Sequence, residues 1–327
     1  MPTYRFLCKD RPMKFNNIIA LLMGILLVST ATAGDSEKEK EFRVAAGIGD
    51  VETLERLLDE GVPVDSANQF GVTALMLAIQ NDNLEATALL LARGANVNAE
   101  AKEGCTALTF AAENGHDALT ALLLERGADL NAKTRAGWDA MMIAARYGLT
   151  DMVEQLLYKG ANTATTDNNG RTALMHAAEK GHPDTISMLL KGGSDIEARD
   201  KNGATALLIA ADKGNANSID ALLDAGADIN AVDQDGATAL IWAVGQDHLL
   251  SAERLIYRGA KVNHQDADGV TALMEAASVR SEDLVYLLLR NGADPTLTDS
   301  SGRDALAIAQ KRRNKRVVTL LEEAINH

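Results

Sequence analysis

A glycine returns every 33 residues along most of this chain, at Gly71, Gly104, Gly137, Gly170, Gly203, Gly236, Gly269 and Gly302. Returns at that spacing without an insertion describe one small unit copied in tandem, each copy burying its apolar face only against its neighbours. A chain of 327 residues would otherwise suggest about two ordinary domains, and the repeat overrides that expectation. Two residues after each glycine comes Thr-Ala-Leu or a close variant, as in Thr73-Ala74-Leu75, Thr106-Ala107-Leu108, Thr172-Ala173-Leu174 and Thr271-Ala272-Leu273. A second series marks the other end of the unit: Gly94-Ala95-Asn96, Gly127-Ala128-Asp129, Gly226-Ala227-Asp228 and Gly292-Ala293-Asp294.

Each part of the unit has a physical reading. Asn169-Gly170, Asn202-Gly203, Asp235-Gly236 and Asp268-Gly269 are tight-turn pairs. The threonine that follows is placed to accept a backbone N–H and start a helix, and Asp139 and Asp304, which replace it in two units, do so equally well. The stretch Thr172–Lys180 then reads as a short helix, interrupted near Gly181-His182. A second helix carries paired leucines such as Leu189-Leu190, Leu222-Leu223 and Leu288-Leu289, and stops at a glycine such as Gly226, the residue type suited to a left-handed cap. Aromatic residues make up only 4% of the chain, in keeping with short helices packed closely through alanine.

This pattern resembles the ankyrin repeat, whose family form runs Gly-x-Thr-Pro-Leu-His-x-Ala-Ala, then Gly-His, a Leu-Leu helix and Gly-Ala-Asp. The resemblance covers residues 35–327. It implies an all-α solenoid of about nine helix-turn-helix units with short β-hairpin tips. The units divide into a first capping repeat at 34–68, seven internal repeats at 69–299 and a last capping repeat at 300–327. In the first unit the charged run Glu37-Lys38-Glu39-Lys40 stands where the Gly-x-Thr start should be, while Ala45-Ala46, Gly49, Leu57-Leu58 and Gly61 keep the register. The last carries the basic run Lys311-Arg312-Arg313 with Lys315-Arg316, which reads as the solvated face of a cap. Alanine replaces the family proline, with little change expected, since alanine has the highest helix propensity. The family histidine is mostly Met or Leu (Met76, Met142, Met175, Leu208, Met274), which predicts weaker polar ties between neighbouring units.

Residues 1–33 read as a secretory signal. Lys9, Arg11 and Lys14 precede an apolar run from Ile18 to Val28, and Ala31-Thr32-Ala33 offers a small-residue cleavage site. Met13 is an alternative start. A retained membrane anchor is the rival reading, but the run is shorter than the roughly 20 apolar residues that span a bilayer. The expectation is a periplasmic or secreted protein, monomeric on its own, with no stable membrane insertion after cleavage. Cys8 would leave with the signal, so Cys105 would remain without an internal disulfide partner.

The formal net charge of −14 argues against a nucleic-acid partner, whose binders carry basic faces. His116, His182 and His248 share one position in the unit and read as a structural series, too far apart to share a metal. Asp233-Gln234-Asp235-Gly236 and Asp266-Ala267-Asp268-Gly269 imitate the start of a calcium loop. Val244 and Ala277 stand where such a loop needs its glutamate, so both read as hairpin turns. No nucleophile elbow, zinc-protease motif or phosphate loop occurs. No cofactor, metal or enzymatic activity is expected.

What remains is binding. In ankyrin stacks the tips and the ends of the first helices line a groove where partners dock, and the resemblance carries that expectation here. The corresponding positions give Phe70, Val72, Gln80 and Asn81 in one unit, and Glu103, Cys105, Glu113 and Asn114 in the next. They then give Arg135, Trp138, Arg146 and Tyr147, followed by Arg171, Glu179 and Lys180. Trp, Tyr and Arg are the residues most enriched at interface hot spots. Phe70, Arg135, Trp138, Arg146, Tyr147 and Arg171 are therefore the candidate contacts for a protein partner, the arginines suiting an acidic segment. The alternative is that Trp138 and Tyr147 pack on each other to stiffen the stack. Trp242 and His176 occupy a largely apolar column, filled elsewhere by Leu77, Phe110, Ile143, Ile209 and Ile308, and are expected in the core. Cys105, beside a turn glycine, is expected to be at least partly exposed. The function expected is stoichiometric protein binding, as an inhibitor, immunity partner or accessory subunit. A structural scaffold using several faces is the alternative.

Overall fold

A computed structural model describes residues 36–326. The expected secretory signal and Cys8 lie outside the described residues. The chain divides into two compact units at residue 140. In the first lie helices α1 (Glu37–Ile48), α2 (Val51–Asp59), α3 (Ala74–Gln80), α4 (Leu84–Ala92), α5 (Ala107–Asn114) and α6 (Asp117–Glu125). The division falls at the start of α7 (Ala140–Tyr147). The second unit continues with α8 (Thr150–Tyr158), α9 (Ala173–Lys180), α10 (Pro183–Lys191), α11 (Ala206–Asp212) and α12 (Ala216–Asp224). It ends with α13 (Ala239–Gly245), α14 (Leu249–Tyr257), α15 (Ala272–Val279), α16 (Glu282–Arg290), α17 (Ala305–Arg312) and α18 (Lys315–Asn326). The described residues contain these helices and no strand.

Within each unit the helices form two rows. In the first unit α1, α3 and α5 pack in one row and α2, α4 and α6 in the other. In the second unit α9, α11, α13, α15 and α17 form the first row, and α8, α10, α12, α14, α16 and α18 the second. Small side chains make the first row possible: Ala173, Ala177, Ala178, Ala206, Ala210 and Ala211 are all buried. The paired leucines divide their work. Leu189, Leu222 and Leu288 are completely buried, while Leu190, Leu223 and Leu289 are half-buried. Alternation of this kind follows from a helix that offers one face to its neighbours and one to water.

The helix ends behave as the sequence requires. Thr172 accepts from the N–H of Met175 at 3.4 Å, and Asp304 accepts from Ala307 at 2.7 Å, so the aspartate substitution keeps the cap. At the end of α12 the N–H of Ala227 donates to Leu222 and that of Gly226 to Leu223, the paired bonds of a left-handed cap at Gly226. The glycine period has a second cause besides positive φ. A Cβ on Gly104 would sit 2.8 Å from the carbonyl oxygen of Lys133, in the tip of the next repeat, so the close approach of successive tips also demands glycine.

The tips depart from the expected β-hairpins. Among the described residues isolated bridges alone occur, between Ala67 and Thr73 and between Val232 and Thr238. An aspartate explains the preference for a turn. Asp167, Asp200, Asp233, Asp266 and Asp299 each accept, through Oδ1, the N–H groups two and four residues on. The calcium-like loops at Asp233 and Asp266 are two of these turns. Within a tip one cross-bond remains, as in Asp167 N–H to the Arg171 carbonyl, and further bonds run from one tip to the next, as in Lys201 N–H to Asn169, Gln234 to Asn202 and Ala267 to Asp235.

Polar ties between repeats come from a column other than the family histidine. His182 Nε2 lies 3.0 Å from the carbonyl of Arg146, and His248 Nε2 3.0 Å from that of Asp212. Asn215 Nδ2 donates to the carbonyls of Ala178 and Glu179, both at 2.9 Å. In the first unit Asn83 does the same to Ala46 and Gly47, at 3.1 and 2.9 Å. Each side chain closes orphan carbonyls at the end of the preceding first helix.

Candidate functional site

In the first unit, Phe70 stands at a tip and is 58% exposed, its N–H held by Asn68 Oδ1 at 2.8 Å. Arg135 also projects from a tip. Its guanidinium reaches Glu103 at 3.2 Å and the Lys102 carbonyl at 2.9 Å, while its side chain remains 71% exposed. Trp138 is different. Expected at the surface, it is buried, with 6% exposure. Its carbonyl accepts from Thr134 N–H at 2.8 Å and its own N–H meets Thr134 Oγ1 at 3.2 Å, which locks the backbone with the indole inward. Cys105, one repeat earlier in the same column, is also corrected: it is 1% exposed. The column reads Val72, Cys105, Trp138, Arg171, Ala204, Ala237, Val270 and Arg303, and its mostly apolar character was the sign that it faces inward.

In the second unit Tyr147 ends α7 and is 42% exposed. Arg146 and Arg171 are brought together, but on an internal anchor. Glu179, near the end of α9, receives Arg171 Nη1 at 2.9 Å, Lys180 Nζ at 3.2 Å and Arg146 Nη1 at 3.7 Å. Its side chain is 9% exposed, and those of the two arginines about a fifth. Arg171 Nε also reaches Asp200 Oδ2 at 3.3 Å. Burial works to raise the Glu179 pKa, and the charges of Lys180, Arg171 and Arg146 outweigh it, so the carboxyl titrates below the usual range. The positive patch expected here is therefore largely neutralised from within.

Beneath this cluster His176 Nε2 lies 3.2 Å from Asp167 Oδ2, both side chains almost wholly buried. Burial depresses the histidine pKa against the opposing pull of Asp167. For Asp167 burial acts upward, yet His176 and the N–H groups of Arg171 and Asn169 hold the carboxyl below its usual value. Trp242, in the same column two repeats on, donates Nε1–H to Asp233 Oδ2 at 2.8 Å. His176 is buried as expected and Trp242 is half-buried; each faces the second oxygen of the turn aspartate, Trp242 through a hydrogen bond and His176 at ion-pair distance. That polar duty is missed when the column is read only for hydropathy, although the spacing of nine residues from each aspartate carries the signal.

Glu275 holds this column position in a later repeat and supplies no such donor. Burial raises its pKa, the nearby Asp266 carboxylate raises it further, and Arg312 pulls it down. A carboxyl whose folded pKa exceeds its unfolded one binds protons more tightly when folded, so stability falls as pH rises from about 4.5 through the folded value. Glu275→Gln is therefore expected to raise the melting temperature at pH 7 and to leave it unchanged near pH 4. Thermal melts of both chains across that range check the result.

Among the described residues no group of three or more His, Cys, Asp and Glu side chains is placed to hold a metal ion, and no helix is long and apolar enough to cross a membrane.

Compared with known proteins, the chain matches the family model "Ankyrin repeats (3 copies)" at residues 42–134, 132–200, 192–266 and 251–327. It is also similar to "Ankyrin repeat, SAM and basic leucine zipper domain-containing protein 1" of Colobus guereza, Pan troglodytes and Homo sapiens, 47% identical over 49 residues in each. Those residues are 15% of this chain and 10% of each relative, so the chain spans about a tenth of the curated relatives it matches. The expected periplasmic or secreted location is corrected by this finding. The relatives are primate proteins, and the segment that suggested export lies outside the described residues.

Proposed function

Because the chain belongs to the ankyrin-repeat family, whose members generally mediate protein–protein interaction and are typically non-catalytic, we propose that it is a stoichiometric binder of a protein partner. Contacts are made by its tips and the ends of its first helices. The observation that supports this reading is the presentation of large side chains on locked backbone. Phe70 is 58% exposed and Tyr147 42% exposed, and Arg135 projects from a tip fixed to its neighbour by Arg135 N–H to the Glu103 carbonyl at 2.7 Å. Aromatic side chains held out in this way lose little entropy on binding. In this reading Arg146 and Arg171 serve the surface chiefly by bracing it, and Trp138 supports it from below.

A scaffold that uses several faces is the second reading. Tyr158 and Tyr257, at the ends of second helices, are 86% and 88% exposed and give that reading a specific surface. The two are separated by affinity capture with the whole chain beside a Phe70→Ala, Tyr147→Ala variant and a Tyr158→Ala, Tyr257→Ala variant. Loss of the partner by about tenfold or more in the first variant alone is the expected result. Loss in the second alone, with both variants folded, moves the function to the other face.

A further inference from the structure

The last repeats of the second unit hold a polar cleft of about 430 Å³ between α15 and α17. Arg280, Arg303, Lys311 and Arg312 line it, against the two acids Glu275 and Asp299, with Val270, Met274 and Ile308 as apolar wall. In a chain of net charge −14 this is a local reversal of sign.

The repeat register explains how the reversal arises. Ser278 and Lys311 occupy the position that Glu179 holds in its own repeat, the position of the buried acid that collects Arg146, Arg171 and Lys180. With that acid gone, Arg312 Nη2 hydrogen-bonds the neutral hydroxyl of Ser278, at 2.9 Å, while its charge still acts on Glu275 in the cleft without ion-pair contact. Asp299 is spoken for by Arg303, at 2.7 Å through Nη2 and 2.8 Å through Nε. Among the described residues no carboxylate is in ion-pair contact with Arg280, Lys311 or Arg312. The neighbouring cation Arg316 differs, since it pairs with Glu282 at 3.3 Å outside the cleft.

We propose that this cleft docks an acidic peptide segment of a protein partner, its carboxylates seated against Arg280, Lys311 and Arg312. The proposal rests on the protein-binding reading and names the partner chemistry at one place on the surface. Guanidinium groups match carboxylates in a two-pronged geometry. Cations distributed along a trough with apolar wall residues suit an extended chain better than one small anion.

The test uses the whole chain and a fluorescent octaglutamate peptide at low salt. Lys311→Glu with Arg312→Glu is compared with Lys315→Glu and Arg316→Glu, which change the net charge equally outside the cleft. The expected result is a loss of about tenfold or more in the first pair and about twofold or less in the second, both variants keeping the parent's helical circular dichroism. Equal losses in both pairs would reduce the effect to overall charge and overturn the proposal, as would no loss in either. Inorganic phosphate is titrated alongside, and binding of phosphate without the peptide also overturns it. These outcomes are independent of the Phe70 and Tyr147 capture experiment, so the cleft and the wider protein-binding reading can fail separately.

Discussion

Replacing Trp138 by alanine is expected to destabilise the first unit by about 3–5 kcal/mol, the usual cost of emptying a buried aromatic site. The indole is 6% exposed and its backbone is locked to Thr134 on both sides. Urea unfolding followed at the amides of α5 and α6 by hydrogen exchange measures the loss. Little change in protection there would show that the cavity collapses without cost and would remove Trp138 from the core. The substitution also makes a poor probe of binding, because partner loss in a partly unfolded repeat says nothing about contact. Phe70 and Tyr147 are the sounder choices, since their exposure leaves the packing intact when they are cut back.

Glu179→Gln is expected to cost on the order of 3 kcal/mol, because it leaves Arg146 and Arg171 half-enclosed without their shared counter-charge. The second unit should lose protection at α9 and at the tip that precedes α11, where Arg171 also leans on Asp200. The pH dependence follows from the depressed Glu179 pKa. Its contribution is present above the ordinary carboxylate range and disappears as pH falls through the folded value. Parent and variant should therefore converge in stability in acid. A constant gap between them at all pH values would mean that packing, and not charge, is what the glutamate provides.

The fold was largely legible in the sequence, because the glycine period, the Thr or Asp caps and the leucine pairs each have one local physical cause. Thr172, Asp304 and Gly226 act as their chemistry suggests. The tips were less legible. Asp-Gly is a hairpin signal by itself, whereas the aspartate two residues earlier in the turn captures N–H groups that a hairpin ladder would use. For the candidate site, residue type misled where column context would have served. Trp138 and Cys105 share a column with Val72, Ala204 and Val270, and that company points inward. Arg171 sits in the same column and is tolerated there only because Glu179 and Asp200 are brought to it from more distant parts of the sequence. No single-position reading supplies that encounter. Comparing acids and bases at equal register does, and it is the comparison that separates the neutralised cluster at Glu179 from the cationic cleft around Lys311.

The histidine and asparagine ties carry a consequence for how such a chain can change over generations. Those from His182, Asn215 and His248 reach back 36 or 37 residues, to the end of the first helix one repeat earlier. A gain or loss of one residue between tie and target would move donor and carbonyl out of step. Gain or loss of a whole 33-residue block returns every donor to an equivalent carbonyl. The chain's length is in that sense quantised, and duplication or excision of entire repeats is the size of alteration to which its architecture is indifferent.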